Sequence, residues 1–235
     1  MKKRKGDKHT FVGNFFEHVG HRILGGELTR DQDGDICLWR TRTSVEVKSS
    51  GAHSSYGFRL SVEQIEHYEE LSSFPFNRVW YVLFAYRNNR VRRQNGLRFS
   101  ELSEHENPVS INRYLAGSAL WCIILDLSIV SAWKRKFPHS TKSVIGHKGM
   151  KTVDIKPRVI HTFSNGGLTE GLKDLDFDPK KFVLLSGKVR TKIEPDLVSE
   201  HTIKFPITAI LPVSEASSFQ RMLLRRGFRL RRVIP

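Results

Sequence analysis

The stretch GDICLWRTRTSVEVKSS, residues 34–50, holds two strand-like runs around a short basic turn. Antiparallel strands over 35–39 and 42–48, turning at Arg40-Thr41, set Asp35 across from Glu46. Opposed residues share a face, and so do alternate residues along one strand. Asp35, Glu46 and Lys48 therefore fall on one side, and Ile36, Leu38, Val45 and Val47 on the other, which suits burial. The turn lacks Asn-Gly chemistry, so the register is open to slippage; a slip of one residue breaks the alignment. Opposed carboxylates repel by a few tenths to ~1 kcal/mol. A cation between them relieves that repulsion, and hard oxygen ligands select Mg²⁺ or Mn²⁺. A lysine beside such a site suits one that also binds a phosphate and a water nucleophile. In outline the set is a phosphodiester hydrolysis site.

Working outward, Val12 to Leu24 reads as an amphipathic helix with Phe15, Val19 and Ile23 at helical spacing, stopped by Gly25 and Gly26. ELTR, DICLW and SVEVKSS read as three short strands. LSVEQIEHYEELSS predicts a helix with Ser61 as N-cap and Ile65, Tyr68 and Leu71 on one face. RVWYVLFAYR (78–87) is a nearly unbroken apolar run, expected as a central buried strand. The order αβββαβ predicts an α/β domain whose mixed sheet opens with an antiparallel meander. GSALWCIILDLSIVSAW (117–133) is short for a bilayer span and contains Asp126; it reads as a buried helix or strand pair. The expected division is a core domain over 1–133 and a smaller, mostly β, basic extension over 134–235, with a last helix in SEASSFQRMLLRRG.

The chain of 235 residues carries 39 Lys+Arg against 24 Asp+Glu, a formal charge of +15. Charge of that sign concentrates polyanions, nucleic acid first among them. It is clustered in three acid-free patches: Lys2 to Lys5, the five arginines of RNNRVRRQNGLR (87–98), and the six arginines after Ser217. Such clusters favour phosphate contact. Cys37 and Cys122 are the only cysteines, too few for a zinc ribbon or a secreted disulfide scaffold. The basic start lacks an apolar signal segment, and the expectation is a cytoplasmic protein with no membrane association.

In these residues the sequence resembles the PD-(D/E)xK nuclease superfamily, which includes restriction endonucleases and archaeal Holliday junction resolvases. The resemblance covers roughly residues 10 to 90. It maps a helix glutamate onto Glu17 in GNFFEHVG, the strand aspartate onto Asp35, the Glu-x-Lys pair onto Glu46 and Lys48 in VEVKSS, and a helix glutamine onto Gln64 in LSVEQ. Gly34 stands where the motif name has proline. The resemblance implies a restriction-endonuclease-like core and Mg²⁺ or Mn²⁺ held by Asp35, Glu46 and the carbonyl of Val47. Glu17 would support the metal or its water, and Gln64 would hold the site or contact substrate. The implied activity is divalent-metal-dependent endonuclease cleavage of double-stranded or branched DNA, carried out by a homodimer. The alternatives are a DNA-binding protein with an inactive nuclease fold and an enzyme processing RNA or DNA ends.

Two further acid-x-lysine stretches compete, Asp154-Lys156 in VDIK and Asp178-Lys180 in DPK. The second sits beside proline in a turn-like context. The first lacks a preceding helix glutamate and strand aspartate at comparable spacing. Asp33 is the rival to Asp35, but it falls in the turn rather than against the apolar run. His18 and His21 lie beside Glu17 without the HExxH spacing of a zinc site.

Overall fold

The computed structural model describes residues 8–29, 34–51, 57–87, 108–137, 140–141, 151–155, 175, 177–194 and 200–233. The N-terminal arm, residues 88–98 of the second basic cluster, Asp33 and Lys156 lie outside the described residues. The chain is an α/β protein built on a mixed eight-stranded sheet.

Helix α1 (Lys8–Leu24) leads into β1 (Glu27–Leu28), β2 (Ile36–Leu38) and β3 (Thr43–Gly51). Strand β4 (Phe58–Ser61), helix α2 (Val62–Leu71) and strand β5 (Arg78–Arg87) follow. Helix, three strands, helix and strand thus come in the expected order, with β4 inserted before α2. Helix α3 (Pro108–Ala116), strand β6 (Ala119–Asp126) and helix α4 (Leu127–Lys136) come next. Two short strands, β7 (Ser140–Thr141) and β8 (Lys151–Ile155), precede the long hairpin β9 (Phe182–Ile193) and β10 (His201–Pro212), helix α5 (Val213–Arg225) and strand β11 (Leu230–Val233).

The strand order is β1-β2-β3-β5-β6-β10-β9-β11, with β4, β8 and β7 forming a separate small sheet. β5 runs parallel to β3 and antiparallel to β6, and β10 returns parallel to β6. β5 is buried from Val79 to Tyr86, as its unbroken apolar run requires. One face of the sheet packs against α1, α3 and α5 through Phe15, Phe16, Val19, Ile111 and Phe219. The other packs against α2, α4 and the small sheet through Ile65, Tyr68, Ile129, Phe58 and Val153.

Two expectations change. The apolar run at 117–133 is neither one helix nor a strand pair: it is a strand that hands over to a helix at Asp126, whose carboxylate caps α4 by accepting from the Ser128 amide at 2.9 Å. The boundary at 133/134 is not a break in the fold either. β9, β10 and β11 extend the same sheet, and α5 contributes Phe219 and Leu223 to the core that α1 completes. No helix among the described residues is long and apolar enough to cross a membrane. Cys37 and Cys122 are buried, and neither forms a disulfide.

Candidate active site

The β2–β3 hairpin has the expected register from Ile36 on, with Ile36 paired to Val45, Cys37 to Ser44 and Leu38 to Thr43, and Asp35 lies just ahead of the paired strand. The turn is a single 3₁₀ turn over Trp39–Thr41, closed by Arg42 in the left-handed region at φ 49°. Ile36, Leu38, Val45 and Val47 are all buried against α1. Gly20 lets the helix come this close, since a Cβ there would sit 3.2 Å from Ile36 and 3.3 Å from Val47.

At Asp35 the ladder turns inward. Its amide donates to the Val45 carbonyl at 2.9 Å, and its Oδ2 accepts from the Val47 amide at 2.7 Å. Gly34 makes this bend, with φ at +122° and a would-be Cβ only 2.4 Å from Ser44 Oγ. Proline, the residue of the motif name, is restricted to a φ near −65° and cannot adopt this conformation. Glycine here is a conformational requirement.

Glu46 and Lys48 alternate onto the face covered by α2. Glu46 is only 2% exposed, yet both its oxygens are engaged: Lys48 Nζ donates to Oε1 and the Tyr68 hydroxyl donates to Oε2. Gln64, one helical turn before Tyr68, donates from Nε2 to the Tyr68 hydroxyl at 3.4 Å and so joins the network through it. Its amide donates to the Ser61 cap, which fixes the start of α2. Glu17 on α1 bears on the same centre by its field, adding negative potential at both Asp35 and Lys48. The five candidate side chains thus converge from α1, the entry to β2, β3 and α2.

The electrostatics follow from burial. Asp35 is pushed up to about 7, first by burial and then by Glu46, with Lys48 and the Val47 amide pulling the other way. Burial draws the Lys48 ammonium down, but Glu46, Asp35 and Glu17 outweigh it and the net shift is upward. Lys48 is therefore a cation at neutral pH. Tyr68 is raised by burial and by Glu46, so it stays a donor.

Among the described residues no group of three or more His, Cys, Asp or Glu side chains converges to hold a metal ion. Asp35 and Glu46 give the centre two carboxylates, one short of such a group. Mg²⁺ keeps several waters and takes one or two carboxylates, and Asp35 and Glu46 are two hard oxygen donors of that kind. Burial is the first cause of Asp35's raised affinity for a proton, and the field of Glu46 is the second, acting against that of Lys48.

Sequence reasoning missed the role of Tyr68, which reads in sequence as one more apolar position of α2. Its four-residue spacing from Gln64 is the signal that sets both on one helix face. Tyr81, the β5 residue paired with Glu46, packs edge-on against Tyr68 at 5.8 Å, and its buried hydroxyl has no hydrogen-bond partner among the described residues. The competing acids have other employment. Asp154 faces Arg59 across the small sheet at 4.0 Å, and Asp178 accepts from the Lys180 amide in a local turn at 3.0 Å. His21 lies 3.2 Å from the Gly26 carbonyl at the end of α1.

No family model matches the chain, and no curated protein or solved structure matches it either.

Proposed function

We propose that this protein is a divalent-metal-dependent DNA endonuclease with a PD-(D/E)xK core. The observation that supports the reading most strongly is the convergence of Glu17, Asp35, Glu46, Lys48 and Gln64 on one centre from separate elements of the chain. Asp35 and Glu46, with the carbonyl of Val47, would hold Mg²⁺ or Mn²⁺. When bound, the ion lowers the pKa of a water and offsets charge on a phosphoryl oxygen.

The chain's own residues do the rest. Lys48, charged and a third exposed, is suited to donate to a phosphate oxygen or to orient the attacking water rather than to accept its proton. Tyr68 fixes one oxygen of Glu46 and leaves the other facing Lys48. The arginines after Ser217, which are exposed, supply backbone contacts that carry no sequence information. Two copies acting on the two strands of a duplex are the simplest assembly for a double-strand cut.

The direct test is incubation with supercoiled plasmid in Mg²⁺ or Mn²⁺. Wild-type protein nicks or linearises it, whereas Glu46→Ala and Lys48→Ala lose cleavage and keep DNA binding. Wild-type protein that binds but never cuts, or variants that cut normally, would overturn the reading.

A further inference from the structure

A second feature lies away from the carboxylates. The end of α1, the β9–β10 hairpin and the end of α5 enclose an open cleft of about 580 Å³, lined among others by Arg22, Arg190, Lys192, Arg225 and Arg226. No acid lines it. Lys192 pairs with Glu200 at 2.8 Å, an exposed contact that salt and solvent weaken, and Glu194 adds its field there.

Two of the guanidinium groups are held in place by the fold. Arg226 donates from Nε to the Arg22 carbonyl at 3.3 Å, and from Nη2 to the carbonyls of Arg22 at 3.1 Å and His21 at 3.4 Å. These are terminal carbonyls of α1, where a cation is favoured. Arg22 donates from Nε to Thr191 Oγ1 at 3.2 Å. Arg190 and Arg225 have no hydrogen-bond or ion-pair partner among the described residues. Burial first, and then the neighbouring Arg22, pull Arg226 below the usual arginine range. Planar guanidinium forks match phosphate oxygens in pairs.

Arg22 stands on α1, the helix that also carries Glu17, five residues further on and about 140° around the axis. The exposed Arg221, Arg229, Arg231 and Arg232 continue the positive surface from α5 into β11.

We infer that this cleft binds backbone phosphates of the nucleic acid that the carboxylate centre acts on. The inference rests on the nucleic-acid reading above but not on turnover.

The test is the salt dependence of binding to a fluorescent 20-base-pair DNA duplex, measured with full-length protein. Arg190→Gln with Arg225→Gln removes two exposed cations of the cleft. The control is Lys180→Gln with Lys181→Gln, exposed at the start of β9 and about 30 Å along the strand from Arg190. The cleft pair is expected to lower the slope of log K against log salt by about 1 to 2, since each lost phosphate contact takes away about 0.9. Affinity falls roughly tenfold or more at moderate salt, while the control pair leaves the slope unchanged. An unchanged slope in the cleft pair overturns the inference, as does an equal loss in the control. Stoichiometric pyrophosphate binding that the cleft pair abolishes without changing the DNA slope also overturns it, in favour of a free phosphorylated ligand. A wild-type protein that binds DNA and never cuts sinks the nuclease reading and leaves the slope measurement valid.

Discussion

Tyr68 donates its hydroxyl proton to Oε2 of Glu46 while Lys48 holds Oε1, so the buried carboxylate of β3 is clamped from both sides. The clamp joins α2 to the sheet at the candidate centre, and its parts can be separated by substitution.

Tyr68→Phe keeps the ring packed against Tyr81 and deletes one donor. Glu46 then has a buried oxygen without its partner, at a cost of about 1–3 kcal/mol. Tyr81→Phe is the counterpart, since it deletes a buried hydroxyl that has no partner among the described residues. It is expected to be neutral or stabilising by up to about 1 kcal/mol. Urea unfolding of both variants at neutral pH reads the contrast. Equal destabilisation would mean that the clamp contributes nothing beyond packing.

Asp35 predicts a pH dependence. Its carboxyl titrates near 7 in the folded chain against 3.8 for the ordinary group, so between those values the folded state holds a proton that the unfolded state has released. Stability therefore falls as pH rises from about 4 to about 7 and levels off above, by about 4 kcal/mol at most. Asp35→Asn cannot ionise and still offers an oxygen to the Val47 amide. It is expected to match wild type near pH 4 and to exceed it in melting temperature at pH 8. Mg²⁺ should raise wild type at pH 8 and leave the variant unmoved. Parallel stability curves for the two proteins from pH 4 to 8 would refute the assignment.

The hairpin was legible because its alternation is local: Val45 and Val47 face α1, and Glu46 and Lys48 face α2, as a period of two demands. The ends of α1 and α2 were legible for the same reason, from Gly25 and Gly26 and from the Ser61 cap. What escaped depends on contacts distant in sequence. β10 joins the sheet by pairing Ile207 with Cys122, and nothing local in TIKFPITAILP marks that partner, so the C-terminal strands read as a separate unit. Tyr68 reaches Glu46 only because α2 packs across β3. The run 117–133 is mostly apolar on both sides of Asp126, so composition alone does not reveal the change of structure there; the Asp-Leu-Ser cap does.

Gly34→Ala tests the bend that aims Asp35. A Cβ at φ +122° is strained in itself, and it would lie 2.4 Å from Ser44 Oγ and 3.0 Å from the Val45 carbonyl. The loss should exceed about 1 kcal/mol. Because the bend sets the Asp35 contact to Val47, the variant should also lose the stabilisation by Mg²⁺ expected of wild type. Gly34→Pro, which restores the motif's name, should be worse than alanine. A proline variant as stable as wild type would show that the bend is not required.

Lys48→Met separates the ammonium's structural work from its chemical work. The substitution keeps most of the stem and leaves Glu46 with Tyr68 alone, beside Asp35. A wholly buried pair broken in this way costs 3–5 kcal/mol, but Lys48 is a third exposed, so roughly 1–3 kcal/mol is expected. The loss should be largest at pH 8 and shrink toward pH 5, where Asp35 takes up its proton and the site carries less negative charge. Mg²⁺ should stabilise Lys48→Met more than wild type, because the dication replaces the missing charge. Cleavage should stay absent even when Mg²⁺ has restored stability, since the metal can balance the carboxylates and cannot stand in for a donor aimed at the phosphate. If the Mg²⁺-stabilised variant regains cleavage, Lys48 is only a counter-ion.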